Sequence, residues 1–175
     1  TDQLTTFNAT NNSLDCIEVS AEDVDYATEN WTYENGNIDE GVTFSAVCVP
    51  EGYTYVPDDN FEQALIDLGY DDTIDDFVLT ANISGVTSLD VDEKEISDLT
   101  GIADFSALTS LFCGDNQLTS LDVSNNTALT ELRCYSNQLT ALDVSNNTAL
   151  EILRCAANAL TALDVSANTA LTWLW

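Results

Sequence analysis

The sequence predicts a solenoid of short parallel β-strands, one strand per coil, and three observations predict it. The nonapeptide LDVSNNTAL occupies residues 121–129 and 142–150 and returns as LDVSANTAL at 163–171, a step of 21 residues. The intervening residues keep that step in further columns: Leu111, Leu132, Leu153 and Leu174; Cys113, Cys134 and Cys155; Asn116, Asn137 and Asn158; Leu118, Leu139 and Leu160. Written as one unit, the columns give L-x-x-L-x-C-x-x-N-x-L, the signature of the leucine-rich repeat, whose period runs from roughly 20 to 29 residues.

Each column has a physical reason. Coils stack about 4.8 Å apart, the distance between neighbouring strands. Leu and Val then fill the inside of the coil, and a free thiol beside them behaves as a small hydrophobe. Asn at the bends turns its amide inward, where it bonds backbone groups that would otherwise be buried unpaired.

Four such units are expected over residues 86–175, the last continuing past the end. In the first, VTSLDVDEKEISDLTGIADFSAL, the apolar columns Val86, Leu89, Val91, Ile96, Leu99, Ile102 and Phe105 persist over 22 residues, but Lys94 takes the place of the Asn. That departure suits a first repeat, because terminal repeats are atypical. Residues 58–85 are expected to form a helical cap on the solenoid. In VPDDNFEQALIDLGYDD, Asp58, Asp59 or Asn60 serves as N-cap, Phe61, Leu65 and Leu68 share one face, and Gly69 stops the helix. Residues 49–57, which hold both prolines of the chain, read as a linker.

Residues 1–48 read as the end of an upstream array and its cap. DQLTTFNATNN at 2–12 matches NQLTALDVSNN at 137–147, with Leu4, Phe7, Ala9 and Asn12 in the places of Leu139, Leu142, Val144 and Asn147. The residues after it show short β-like runs without repeat spacing, the composition of a β-rich cap, with Cys16 and Cys48 as its staple. Such a bridge contributes roughly 3 to 4 kcal/mol on a loop-entropy account and implies an oxidising compartment. Five cysteines cannot all pair within one chain. The half-repeats at the two ends fit tandem modules of one long polypeptide, subunits that join head to tail, or a stretch cut at an arbitrary point of a longer array.

Composition excludes several functions. Asp and Glu number 31 against three basic residues, for a formal net charge of -28 with no His. Nothing here neutralises a row of phosphates, so no nucleic-acid partner is expected. No apolar run approaches the roughly 18 residues of a membrane span, so no membrane insertion is expected. Without His there is no conventional nucleophilic triad, and the periodic cysteines point into the core; the chain is expected not to be an enzyme. Such an acidic chain suits a saline, extracellular setting.

Three stretches carry a family resemblance. CxxNQLTSLDVSNNTALTxLxC, YVPDDNFEQALIDLGYDD followed by VLTANISGVTSLDV, and CIEV followed by YATENWT resemble the secreted leucine-rich-repeat proteins of Bacteroidota. The resemblance implies export by type IX secretion and use at the cell surface or outside the cell in adhesion, gliding or prey capture. DTI at 72–74 resembles the short O-glycosylation motif of that phylum, which implies Thr73 as acceptor.

The candidate binding site is the concave face. Residues flanking the second Leu of each repeat point outward, giving one column of Ser110, Glu131, Ile152 and Trp173 and another of Phe112, Arg133, Arg154 and Trp175, with Tyr135 beside them. Both arginines fall in one column. Arg among aromatic rings suits a carboxylate, a sugar face or a partner protein. Asp122, Asp143 and Asp164 form a second column, read as a hydrated outward row that calcium would bridge if any metal binds; Asp71, Asp72, Asp75 and Asp76 take the same reading. No cofactor is expected. The function these readings favour is a non-enzymatic structural or adhesive module of a large secreted surface protein or filament, with copies of itself or adjacent modules as partners through the solenoid ends. The alternative is a glycan- or protein-binding receptor module that uses the concave face.

Overall fold

The computed structural model describes residues 6–175. The chain divides between Pro50 and Glu51 into two compact units. Leu4, one of the matched repeat positions, lies outside the described residues.

In the second unit five strands, β5 (Ser88–Asp90), β6 (Ser110–Phe112), β7 (Glu131–Arg133), β8 (Ile152–Arg154) and β9 (Trp173–Leu174), form one parallel sheet in chain order. The register runs Leu89, Leu111, Leu132, Leu153, Leu174, so the leucine column of the sequence is the central column of the sheet. In β6, β7 and β8 the central Leu is buried and both flanking residues are half-buried, the alternation a pleated strand imposes. The fold is the leucine-rich-repeat solenoid that the period predicts.

The asparagine column closes each coil onto the one before it. Asn137 Oδ1 accepts from the Leu118 backbone N–H at 2.9 Å, and its Nδ2 donates to the carbonyls of Cys113 (2.9 Å) and Cys134 (3.2 Å). Asn116 and Asn158 repeat the arrangement. The residue before each Asn turns the chain with positive φ: Asp115 at 49°, Ser136 at 50° and Ala157 at 53°. A second column, Asn126, Asn147 and Asn168, is buried and donates to two carbonyls of the preceding coil at each step. Cys113, Cys134 and Cys155 are free and buried, inside the same continuous core as the leucines.

The helix α2 (Asp59–Asp67) covers the first coil, with its Phe61 ring 6.3 Å from that of Phe105. One carboxylate joins the two. Asp58 Oδ1 caps α2 by accepting from the N–H groups of Asn60 and Phe61, while Oδ2 accepts from the N–H groups of Ser97 and Asp98 and from the Ser97 hydroxyl. Burial opposes its ionisation, but the bonds from Ser97, Phe61 and Asp98 outweigh burial and hold the carboxyl below its ordinary value. Lys94 has a use of its own at the exceptional first position: its Nζ lies 3.8 Å from Asp67 at the end of α2.

The cap differs from the expected one in two respects. Leu68 does not join the apolar face; it is 44% exposed, and the buried residues of α2 are Phe61, Glu62, Ala64 and Leu65. A helical period places position 68 with 61 and 65, but the chain leaves the helix at Leu68 and Gly69 turns it away with φ 80°. The cap is also not all helical. Within the expected linker lies β3 (Tyr53–Tyr55), antiparallel to β4 (Phe77–Leu79), which leads into a short helix α3 (Thr80–Ile83). Thr54 and Val56 are buried, so this stretch packs as part of the cap. Gly101 passes close beneath it: a Cβ there would stand 2.9 Å from the Tyr55 carbonyl oxygen, and φ is 101°.

In the first unit β1 (Cys16–Glu18) pairs in parallel with β2 (Thr43–Ser45), with the helix α1 (Val24–Asn30) between them in the chain. The disulfide Cys16–Cys48 closes it, with Cα atoms 5.7 Å apart. Trp31 gathers Phe7 (4.7 Å), Tyr26 (5.7 Å) and Phe44 (5.8 Å) around it. The strand pairing follows the pattern of the repeats. Thr43 donates through both N–H and Oγ1 to the Asp15 carbonyl, as Thr130 does to Thr109, and Val19 N–H donates to Ser45 as Cys113 does to Arg133. Residues without repeat spacing thus pair as the repeats do, because the backbone ladder needs only parallel strands and not the leucine columns.

Candidate functional site

The exposed sheet face of the second unit collects most of the residues expected there. β7 and β8 are in register at Glu131 with Ile152 and at Arg133 with Arg154, and β9 continues the first column with Trp173. Arg133 is held by its own strand: its Nε donates to Glu131 Oε1 at 2.7 Å, and its Nη2 lies 2.7 Å from the same oxygen. Its Cζ also stands 4.4 Å from the centre of the Phe112 ring on the preceding coil. Arg154 leans the other way, its Cζ 5.6 Å from the Trp173 ring on the following coil. Two like charges in register on adjacent strands part in this way, each onto an aromatic face. Trp173 and Trp175 are 56% and 64% exposed.

Tyr135 works over a longer span. Its hydroxyl donates to Asp92 Oδ2 at 3.0 Å, and the other oxygen of that carboxylate accepts from the Gly114 N–H. Gly114 lets the ring lie flat over the intervening coil; a Cβ there would meet ring atoms of Tyr135 at 2.5 to 2.9 Å. Burial first, and then the Asp92 bond with the charges of Asp92, Asp115 and Glu93, raise the Tyr135 phenol above its ordinary value, so it remains a donor. Sequence reasoning missed Asp92 and Gly114. The signal was a glycine standing one coil before a tyrosine in the same column.

The acidic ladder resolves into three local turns. Asp122, Asp143 and Asp164 each accept from the N–H two residues on, of Ser124, Ser145 and Ser166, at 2.8 to 2.9 Å. Those serines hold the three carboxyls below their ordinary values. The three are not gathered into one ligand set; the carboxylates that do converge within 4.8 Å among the described residues are Asp59, Glu62 and Asp76. Glu62 of this group is fully buried and already accepts from the N–H groups of Asp75, Asp76 and Phe77. Of the acidic loop expected with it, Asp72, Asp75 and Asp76 are exposed and Asp71 is half-buried; Thr73 is exposed.

Comparison with known proteins agrees with the repeats. Residues 112–137 match the LVIVD repeat. Internalin J of Listeria monocytogenes serotype 4b (strain F2365) is 36% identical over 125 residues, 70% of this chain and 12% of the relative. Among solved structures, the functional domain of InlJ from Listeria monocytogenes, which includes a cysteine ladder, is 41% identical over 70% of this chain and 28% of that one, with a TM-score of 0.63. Internalin C2 from the same species superposes with a TM-score of 0.65 over 74% of this chain and 60% of that one, at 21% identity, a likeness of fold alone. The chain spans 12% of the length of the curated relative it matches. No helix among the described residues is long and apolar enough to cross a membrane. The chain folds as a leucine-rich-repeat solenoid and is similar over 70% of its length to internalin J.

Proposed function

We propose that this chain is a non-enzymatic adhesive module of a secreted or surface-held protein, and that it meets a protein partner through the exposed sheet face. The observation that carries the reading is the gathering of both arginines with Phe112 and Trp173 on that face, in a chain whose net charge is -28. Arginines and large rings are the residue types that dominate binding energy at protein interfaces. The likeness to internalin J supports a surface setting, and the disulfide supports an oxidising one. Placement among Bacteroidota, export by type IX secretion and glycosylation at Thr73 rest on the sequence motifs alone. The first unit is read as the closing cap of an upstream array, and its repeat-like strand pairing supports this.

The test is binding of the immobilised chain to a panel of purified extracellular proteins and glycans, beside the variant Arg133→Ala, Arg154→Ala, Trp173→Ala. Loss of the strongest protein interaction in a variant of unchanged circular dichroism supports the reading; retention overturns it. A second reading is assembly of filaments by stacking of coils between copies, since the coils from β5 to β9 join by one repeated parallel ladder that a coil of another copy could extend. Sedimentation velocity over a concentration series separates the two, since end-joining copies grow in mass and a receptor module stays at one size.

A further inference from the structure

Glu131 and Arg133 form a closed pair, and one coil later the pair is half missing. The register places Ile152 where Glu131 stands and Arg154 where Arg133 stands. Arg154 therefore keeps the guanidinium fork and lacks the acid. Its Nε is buried with no hydrogen-bond partner among the described residues, and it enters no salt bridge among them. A buried N–H of a charged group is costly to leave without an acceptor. At the matching place one coil earlier, the acceptor is a carboxylate.

We infer that Arg154 is a carboxylate-recognition point, taking the Glu or Asp side chain of an extended segment of a protein partner, with Ile152 and Trp173 flanking it. The inference rests on the sheet face being the partner surface. The template for the ligand is in the chain itself: a glutamate side chain already bonds an arginine through Nε and Nη2 in this sheet, beside an aromatic ring. The Arg154 guanidinium lies toward the Trp173 ring, its Cζ 5.6 Å from the ring centre. Charge sets the composition of the segment. Glu131 neutralises Arg133, and Asp90 stands two strands away from it in the same column, so the surplus at Arg154 itself is one positive charge with no acid in salt-bridge reach among the described residues, in a strongly negative chain. A single acid between apolar residues suits that surplus and the Ile152 and Trp173 walls; a run of acids would meet the chain's own field.

The experiment is proton–nitrogen NMR of the whole chain, read at the arginine Nε–Hε cross peaks. The sequence has only two arginines, and Arg133→Lys assigns which peak is which. The probes are the acetylated, amidated pentapeptide Gly-Leu-Glu-Leu-Gly, its counterpart with Gln for Glu, and digalacturonate. The Glu peptide is expected to move the Arg154 peak and leave the Arg133 peak in place, with the Gln peptide, and the Glu peptide on Arg154→Lys, each binding at least about tenfold more weakly. An Arg154 peak unmoved by the Glu peptide at about 10 mM, or moved equally by the Gln peptide, overturns the inference. Movement with digalacturonate alone overturns it in favour of an acidic sugar. With a partner protein from the panel bound, backbone shifts at 110–112, 131–133 and 152–154 without movement of the Arg154 peak sink this inference and leave the sheet-face reading standing. Binding with no shift at any of these positions sinks that reading itself.

Discussion

Tyr135 donates a hydrogen bond to Asp92 at 3.0 Å across a coil whose residue in the path is Gly114. The contact ties the coil of β7 to that of β5 without involving the core. Tyr135→Phe is expected to lower stability by about 1 kcal/mol. Gly114→Ala is expected to cost a similar amount, because the added Cβ pushes the ring off its seat and breaks the same bond. The two losses should not add in the double variant, measured by urea unfolding.

Asn137 satisfies backbone groups of two coils from the inside. Replacing it by Leu leaves the Leu118 N–H and the Cys113 carbonyl buried without partners, at about 1 to 3 kcal/mol for each such group. The expected loss exceeds that for exposed Asn146→Leu, whose side chain makes one bond among the described residues, at 3.3 Å to the Ser124 carbonyl. Thermal unfolding of the two variants checks the order.

The cysteine column is shielded from chemistry. Burial pushes the Cys134 thiol up to about 12 and the Cys113 thiol well above its ordinary value. Alkylation of the native chain at about pH 8 is expected to modify Cys155 first, being 8% exposed and less strongly shifted, and to reach Cys113 and Cys134 only as the chain unfolds. Mass mapping over time reads the order directly.

Glu62 gives stability a pH dependence of known sign. Burial first, opposed by the bonds from Asp75 and Asp76 and aided by the charges of Asp71 and Asp75, raises its carboxyl above the ordinary 4.5. The folded chain then holds a proton that the unfolded chain has released. Stability from this group is full below 4.5 and lost as pH rises through the folded value. In Glu62→Gln the Asp76 N–H loses its acceptor, so the variant should be less stable at every pH yet show a flatter profile above pH 4.5. Urea melts across that range check it.

Much of the second unit was legible in the sequence because stacking coils force identical columns. Leu132, Cys134 and Asn137 have roles that follow from the period alone. The cap was less legible. β3 lies in a segment whose prolines signal a boundary, and its partner β4 is more than twenty residues away, so no local pattern announces the pair. The parallel pairing of β1 and β2 was hidden for the same reason, since ladder bonds run through backbone atoms common to every residue. At the site, the columns placed Glu131, Arg133, Arg154 and Trp173 on one face. The direction in which each guanidinium leans was not legible, because it is set by the neighbours Phe112 and Trp173 and by repulsion between the two.

The central claim is that partners meet the exposed sheet face, and a photo-crosslinking side chain at position 152 tests it most directly, with position 125 on a turn outside the sheet as control. With the strongest protein ligand of the panel bound, the account predicts a covalent adduct from position 152 and none from 125. An adduct from 125 with none from 152 would contradict it.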